Sequence, residues 1–197
     1  MRVSRVQATK NRQAVIDAAS RLFRERGFDG IGIKDLMESA GLTQGAFYKQ
    51  FASKDDLVAQ ASKRALESAT QRWSDAAAAD SEDSLDAVIA FYLSPGHRAG
   101  KRDGCPIVAL GSDAARQGPD VKASFEAGIK AHLEVLTNLI GEADGDAPDG
   151  EGPERRAMAV LSTMVGALTL SRVVNDPHLA RSFLDTAAEL VRELVAA

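Results

Sequence analysis

Cysteine is almost absent from this chain, since Cys105 is the single one among 197 residues. A lone cysteine excludes an intrachain disulfide. The sequence also lacks a cluster of Cys and His residues with the spacing of a structural zinc site, so we expect no metal and no cofactor. An apolar run of transmembrane length and an N-terminal signal segment are missing too, which predicts a cytoplasmic protein with no membrane contact.

Catalytic motifs are also missing. The three histidines, His97, His132 and His178, stand far apart in the sequence, and neither a nucleophile–base pair nor a glycine-rich phosphate loop accompanies them. Aromatic residues make up only 5% of the chain, but the hydrophobic share of 45% is enough for a sizeable core. An all-α enzyme is therefore a poorly supported function class, and we expect a protein that is not an enzyme.

The net charge of the chain is −4, but the charged residues are distributed unevenly along the sequence. Residues 1–55 carry ten Lys/Arg against six Asp/Glu, whereas residues 56–197 carry 14 against 22. A basic N-terminal part on an acidic body is typical of a DNA-reading head joined to a body that DNA repels, although chance scatter of charges is the alternative. We predict a DNA-binding domain at 1–55 and an effector-binding and dimerisation domain at 56–197.

The strongest pattern lies in residues 27–57 and begins with a helix followed by a tight turn. Apolar residues at positions i, i+3 and i+4 predict a short helix at about Ile33–Ala40. Gly41 supplies the backbone freedom that ends this helix. Thr43 can then cap a second short helix, about Gln44–Gln50, which is too short to be stable alone and must be held by packing.

The second half of the pattern predicts how that short helix is held. Phe47 and Phe51, one helical turn apart, predict its buried face and leave its polar residues outward. Ser53 and Asp56 predict a capping box for the next helix, which extends to about Ala79 and links the two parts of the chain. A helix, a glycine-containing turn and a short helix with a polar outer face are typical of a helix-turn-helix motif.

The motif reads AGLTQGAFYKQFASKDDL over residues 40–57 and is preceded by LFRERGF. It closely resembles the DNA-binding signature of the TetR (tetracycline repressor-like) family of transcriptional regulators, and the resemblance is specific over about Val15–Leu57. One departure lies just before the first motif helix, where the family has Thr or Ser and this chain has Ile31 and Gly32. A hydroxyl contact to phosphate is absent there, and only the backbone N–H of Gly32 or Ile33 could replace it.

The fold that we predict is all-α with about nine helices, because no stretch with strand periodicity stands out along the chain. The resemblance implies an N-terminal three-helix head that contains the helix-turn-helix motif. It also implies a larger helical body for ligand binding and dimerisation.

The outer side of the motif has the residue chemistry of a DNA contact. Hydroxyl groups can donate to phosphate oxygens, lysines can neutralise phosphates, and small residues allow a close approach to the major groove. The amide of Gln44 can read a base edge, with adenine the best geometric match. The alternative is a solvated helix face that contacts nothing. The predicted DNA-contacting residues are Thr43, Gln44, Gly45, Ala46, Tyr48, Lys49 and Lys54.

The last two predicted helices carry apolar residues on more than one face, which is more than a single intramolecular contact uses. This pattern favours a helix-bundle interface with a second copy, and TetR-like proteins pair through these two helices. The alternative is that they only cap the core of one chain. A homodimer implies a two-fold operator in double-stranded DNA. The predicted interface residues are Leu161, Leu168, Phe183, Leu184, Leu190 and Val191.

The resemblance also implies a small-molecule effector that binds in the body. Aromatic residues at helical spacing belong to core packing more often than to ligand sites, so that alternative stays open. Cys105 follows an irregular segment, Ser94–Gly104, and stands near a helix N-terminus with cations close by, which favours the thiolate. The predicted effector-site residues are Trp73, Phe91, Tyr92, Cys105, Phe125 and Met164.

Together these patterns predict a homodimeric transcriptional repressor that a small-molecule effector releases from its operator. Two alternatives remain within the DNA-binding class. One is a DNA-binding protein that responds to no effector, and the other is a DNA-binding protein under redox control through Cys105.

Overall fold

The computed structural model describes residues 4–79, 83–144 and 152–196. Within these ranges the chain forms nine α-helices and one 3-10 helix, with no β-strand, so the all-α prediction is confirmed. None of the described helices is long and apolar enough to cross a membrane. The helices are α1 (Arg5–Arg26), α2 (Ile33–Ser39), the 3-10 helix (Gln44–Lys49), α3 (Lys54–Ala79), α4 (Ser84–Tyr92), α5 (Pro95–Ala99), α6 (Pro106–Ala115), α7 (Pro119–Asp144), α8 (Pro153–Val173) and α9 (Pro177–Ala196).

The chain divides into two compact units. The first consists of the chain up to Ser68 together with Lys101–Ala127, and the second consists of Ala69–Gly100 together with the chain from Gly128 onward. This division differs from the predicted boundary after residue 55. Helix α3 runs through residue 55 without a break, so no linker separates head and body there.

The first unit also contains a later piece of the chain that the predicted domain 1–55 leaves out. Leu110 of α6 and Val121 and Phe125 of α7 are buried in the same apolar cluster as Phe23 of α1. Such a contact joins residues almost a hundred positions apart, and helical periodicity alone does not reveal it. Phe125 therefore belongs to the core of the first unit.

The helices of the motif share this core. The ring of Phe23 packs edge-on against Phe28 with ring centres 5.5 Å apart. Leu36 and Met37 of α2 are fully buried, and so is Phe47 of the 3-10 helix. The spacing of apolar residues thus gives each short helix one inward face, and burial of these faces holds together helices that are too short to be stable alone.

The charge asymmetry persists in the structural division. The first unit contains 16 Lys/Arg against 12 Asp/Glu, a net charge of +4, and the second contains 8 against 16, a net charge of −8. The four positive charges in excess all come from the chain up to Ser68, because Lys101–Ala127 is neutral in sum. The electrostatic contrast between a basic head and an acidic body is therefore a property of the folded units.

The turn after α2 is a Schellman motif centred on Gly41. Its φ angle is +72°, in the left-handed region that glycine adopts without a steric penalty. The N–H of Gly41 donates to the carbonyl of Glu38 at 2.9 Å, and the N–H of Leu42 donates to the carbonyl of Met37 at 2.9 Å. These two bonds end α2 and fix the direction in which the chain enters the 3-10 helix.

We expect Gly41→Ala to lower the free energy of unfolding by about 1 kcal/mol or more, because an L side chain is strained at this φ angle. A Cβ at Gly41 would meet no atom within 4 Å, so the backbone alone causes the loss. The matched control is Gly111→Ala within α6, which we expect to leave stability unchanged or raised. Urea denaturation followed by circular dichroism measures both, and equal stability of the two variants would contradict the strained turn.

Candidate nucleic-acid interface

The 3-10 helix follows α2 in the motif and is held by two phenylalanines. Phe47 has no exposed surface and Phe51 is 2% exposed, with ring centres 5.4 Å apart. This confirms the predicted inward face. The segment is a 3-10 helix rather than an α-helix, and its N–H of Gln50 donates to the carbonyl of Phe47 at 2.8 Å. Short runs between two turns commonly adopt this tighter form.

The opposite side of the 3-10 helix is a row of exposed residues. Thr43 occupies the N-cap position, but its side chain makes no capping hydrogen bond. Gln44, Gly45 and Lys49 are exposed, and Tyr48 is 72% exposed. The ring of Tyr48 stands edge-on to that of buried Phe47 at 5.1 Å, so the core of the unit supports the base of this tyrosine. Its hydroxyl is thereby presented away from the core.

The start of α3 completes this surface. Ser53 Oγ accepts a hydrogen bond from the N–H of Asp56 at 3.0 Å, as the predicted capping box requires. The return bond differs, because Asp56 Oδ2 accepts from the N–H of Ala52 at 3.0 Å rather than from Ser53. Lys54, half-buried, is the first residue of α3 and directly follows this cap. The cap thus fixes the backbone from which the Lys54 side chain extends.

Six of the seven predicted contact residues lie on the 3-10 helix and its N-cap. The seventh, Lys54, is the first residue of α3. Ala46 is half-buried and packs against the apolar cluster, so only part of its surface is available. A Cβ at Gly45 would have no atom within 4 Å, and the backbone there is open to close approach. The prediction that these side chains touch DNA stays a prediction.

Arg12 of α1 braces the end of the 3-10 helix, and the sequence pattern gave no sign of it. Its Nε donates to the backbone carbonyl of Gln50 at 3.2 Å. Its guanidinium carbon lies 4.9 Å from the centre of the Phe51 ring, in a cation–π contact. A cation at a helix C-terminus also meets the negative end of the helix dipole. Arg12 therefore ties α1 to the element that presents Tyr48 and Lys49.

The N-terminus of α2 shows the consequence of the departure from the family pattern. Gly32 is the N-cap residue and provides no side-chain hydrogen bond, although its carbonyl accepts from the N–H of Leu36 at 3.1 Å. Asp35 supplies a negative charge in the first turn. No hydroxyl is available at this helix start, so the backbone N–H groups are the donors that an anion would meet there.

The predicted effector-site residues do not all fall in one unit. Trp73, Phe91, Tyr92 and Met164 belong to the second unit, whereas Cys105 and Phe125 belong to the first. Trp73 and Tyr92 are buried with their rings perpendicular and 5.4 Å apart. Met164 is fully buried, and Phe91 is half-buried. The spacing of residues in the sequence did not predict that the chain passes from one unit to the other after residues 100 and 127. The six residues were therefore grouped as one site.

The surroundings of Cys105 are more regular than predicted. The segment Ser94–Gly104 contains α5, with Ser94 Oγ accepting from the N–H of His97 at 3.0 Å. Cys105 is buried at the N-cap of α6. Just before it, the carbonyl of Gly104 accepts a 3.0 Å hydrogen bond from Nη1 of buried Arg24. The thiol is therefore enclosed by the fold and not presented at the surface.

Most of the predicted interface residues are buried within the chain itself. Helices α8 and α9 pack against each other, and this packing accompanies the burial of apolar residues on both helices. Leu190 remains 45% exposed, and Phe183 is half-buried. The predicted interface residues that are buried in the single chain are Leu161, Leu168, Leu184 and Val191.

The other two predicted interface residues, Phe183 and Leu190, lie on an open face of the same two helices that has no charged lining residue. This face forms a groove of about 470 Å³. Leu170, Leu179 and Leu190 are exposed along it, at 45% each. We call this surface the α8–α9 groove. It is lined by Ser162, Thr163, Gly166, Ala167, Leu170, Leu179, Ser182, Phe183, Thr186, Ala187 and Leu190.

Comparison with known proteins places the motif in a defined family. The sequence model described as "Bacterial regulatory proteins, tetR family" matches residues 15–61. The transcriptional repressor NemR of Escherichia coli is 22% identical over 192 residues, covering 94% of each chain. The crystal structure of reduced NemR has a TM-score of 0.79 and covers 94% of this chain and 97% of its own.

Two further solved structures share the fold. A TetR transcriptional regulator from Chloroflexus aurantiacus is 25% identical with a TM-score of 0.79, covering 95% of this chain and 97% of its own. FadR from Bacillus subtilis, solved in complex with stearoyl-CoA, is 16% identical with a TM-score of 0.64, covering 91% and 96%. The likeness extends over the second unit as well as the motif.

We expect Arg12→Ala to loosen the 3-10 helix without unfolding the first unit. Loss of a charge-assisted hydrogen bond worth about 1.5 kcal/mol should speed amide hydrogen exchange in residues 44–51 about tenfold. Lys10→Ala removes the same charge from an exposed position on the same helix and serves as the control. Exchange that is equally fast in both variants would show that Arg12 is no brace.

Proposed function

The chain belongs to the TetR family of bacterial transcriptional regulators, and from this premise we propose that it acts as a homodimeric repressor whose operator binding is weakened by a small-molecule effector. Its relatives are DNA-binding regulators rather than enzymes. Members of the family bind DNA, form dimers and often bind small molecules. The DNA contacts, the dimer surface and the effector response of this chain are each proposed below.

The DNA-binding proposal rests on one observation. Exposed polar residues lie on one face of the 3-10 helix, and the other face is buried in the core. Gln44, Tyr48 and Lys49 are exposed, while Phe47 and Phe51 are buried beneath them. A rigid support reduces the entropy lost when side chains bind, so the row is preorganised for a fixed target. The net charge of +4 on the first unit favours the phosphate backbone as that target.

The proposed contacts divide into positioning and reading. Thr43 and Tyr48 donate hydroxyl hydrogen bonds to phosphate oxygens, while Lys49 and Lys54 neutralise phosphate charges. These contacts set the register of the head on the duplex. Gln44, at the start of the 3-10 helix, enters the major groove and reads a base edge, for which adenine offers a matching donor and acceptor. The lack of a side chain at Gly45 lets the backbone approach closely.

The proposed dimer forms through the α8–α9 groove, whose lining includes Phe183 and Leu190 of the six residues that sequence periodicity selected. The groove has no charged lining residue, and leucines stand exposed on both of its helices. Apolar surface of this kind on one side of a helix pair is costly in water and is removed when a second copy packs against it. An isologous contact between two copies places two heads in two-fold symmetry, as a palindromic operator requires.

The proposed effector response uses the two helices that run through both units. Helix α3 extends from Lys54 in the head to Ala79 in the body, and α7 crosses from one unit to the other after Ala127. A compound that binds one arrangement of the body more tightly than another shifts the population of these helices. Helix α3 begins shortly after the 3-10 helix in the chain. Such a shift therefore changes the position of the exposed residues Gln44, Tyr48 and Lys49 on that helix. The stearoyl-CoA complex of the structural relative FadR supports a ligand site in this fold.

We expect Lys49→Ala and Lys54→Ala each to reduce the salt dependence of operator binding. One phosphate contact per protomer is two per dimer, which lowers the log–log salt slope by about 2. Lys63→Ala, an exposed lysine on α3 beyond the motif, is the control and should leave the slope unchanged. Fluorescence anisotropy across a salt series measures all three, and slopes equal to the wild type in both motif variants would remove these lysines from the interface.

We expect Leu190→Glu to produce monomers with weakened operator binding, because a charge in the apolar groove opposes dimer packing. Leu190 is 45% exposed in the single chain, so the fold should persist. Ala127→Glu adds the same charge at an exposed position of α7 and should remain dimeric. Sedimentation velocity and operator titration are the measurements. A dimeric Leu190→Glu protein would contradict the proposed surface.

A further inference from the structure

His132 of α7 is a fully buried polar residue that the DNA-binding function does not use. It has no exposed surface. Its ring stands perpendicular to the indole of Trp73, with ring centres 4.4 Å apart. Its Nδ1 lies 2.7 Å from the backbone carbonyl of Gly128 and 3.4 Å from Oγ1 of Thr70. All of these residues belong to the second unit.

The contact with Gly128 fixes the tautomer of His132. A carbonyl oxygen can only accept a hydrogen bond, so Nδ1 must carry the proton that it donates at 2.7 Å. Burial lowers the pKa of His132 below its ordinary value of 6.5, although the bond to Gly128 opposes this, and the positive charge of Arg72 lowers it further. The ring is therefore neutral at physiological pH. Its second nitrogen, Nε2, then carries a lone pair and acts only as an acceptor.

That acceptor is unused by the protein. Nε2 of His132 is buried and has no hydrogen-bond partner among the residues that the structure describes. Buried polar atoms of folded proteins nearly always have a partner, because losing water without a replacement costs free energy. A buried atom in this state calls for an explanation, and a hydrogen-bond donor on a bound molecule is one that the geometry allows.

The surroundings of His132 specify the body of such a molecule. Trp73 meets the ring of Tyr92 edge-on at 5.4 Å, and Tyr92 meets His97 at 4.8 Å. His97 in turn stacks with Phe91 at 5.5 Å. This run of rings from His132 to Phe91 makes the environment apolar with few polar positions, as in small-molecule sites. Trp73 and Tyr92 are almost fully buried, so a compound bound beside His132 would meet mainly apolar surface.

We propose that Nε2 of His132 is the polar anchor of the effector site and that the effector is an uncharged compound with an apolar ring body and a single hydrogen-bond donor, a hydroxyl or N–H, directed at this nitrogen. This inference rests on the proposed effector response and names the chemical class of its ligand. Carboxylates are excluded from the anchor, because an ionised carboxylate has no donor and would face the nitrogen lone pair. Ethers and hydrocarbons of the same shape fill the site but leave the nitrogen unpaired.

Trp73 provides a direct reporter, since it is the only tryptophan of the chain and lies against His132. Three probes share one ring body and differ in the head group: cyclohexanol, methoxycyclohexane and cyclohexanecarboxylate. None of them absorbs where tryptophan does. Titration of the DNA-free protein, read by Trp73 fluorescence and by the melting temperature, should give saturable binding of cyclohexanol about tenfold tighter than that of methoxycyclohexane, as one hydrogen bond predicts. Cyclohexanecarboxylate should bind most weakly.

Two variants of His132 distinguish a hydrogen bond from its Nε2 to the ligand from simple packing of its ring against the ligand. His132→Phe keeps a ring and should bind the alcohol and the ether equally, whereas His132→Gln keeps an acceptor oxygen and should restore part of the preference. Nitrogen-15 spectra of the free wild type should show the histidine proton on Nδ1 and a shift of Nε2 on addition of cyclohexanol. This readout does not depend on the variants folding as the wild type does.

Several results would overturn the inference. They are equal binding of alcohol and ether by the wild type, tightest binding of the carboxylate, no saturable binding of any probe, a proton on Nε2 in the free protein, or an alcohol preference retained in His132→Phe. Operator binding by the ligand-free protein is measured separately. If it is intact while the alcohol preference fails, only the ligand class is wrong, whereas its loss would remove the regulator proposal itself.

Discussion

The structure depends on the burial of Phe47 and Phe51 beneath a helix of six residues. A 3-10 helix of this length has no stability of its own, so its position is set entirely by what its inner face contacts. The first unit supplies that contact through the cluster around Phe23, and Arg12 adds a second restraint at the helix end. The exposed row that includes Tyr48 is therefore as rigid as the core below it. This packing therefore sets the position of the 3-10 helix residues that we propose contact DNA.

Charge and connectivity join this head to the rest of the chain. The head carries the positive excess and the body the negative one, so DNA is attracted to one unit and repelled by the other. Helices α3 and α7 both run through the two units without a break, and α3 starts one short turn after the 3-10 helix. A regulator needs such a continuous element, because an effector can act on DNA binding only if both depend on the same conformational equilibrium. The buried acceptor on His132 is the polar group through which we propose that the body binds such an effector.

The sequence was most informative where the determining interactions are local. The helix-turn-helix motif follows from spacing within a few residues: Gly41 must end α2, and Phe47 must face inward. Prediction was weaker wherever two distant segments meet. The joining of Phe125 to the head core and the brace from Arg12 both depend on tertiary contacts that periodicity does not encode. At the last two helices, periodicity selected apolar residues of both kinds: Leu184 is buried within the chain, whereas Phe183 and Leu190 line the open groove.

The central claim is that the exposed row on the 3-10 helix reads DNA as part of a two-fold dimer. Selection of bound duplexes from a random-sequence library by the unmodified protein, followed by sequencing, tests it directly. The account predicts enrichment of a palindromic motif whose half-sites lie about one helical turn apart, the spacing that two symmetric heads impose. Bound sequences that show no enrichment over the input library, or an enriched motif without two-fold symmetry, would contradict it.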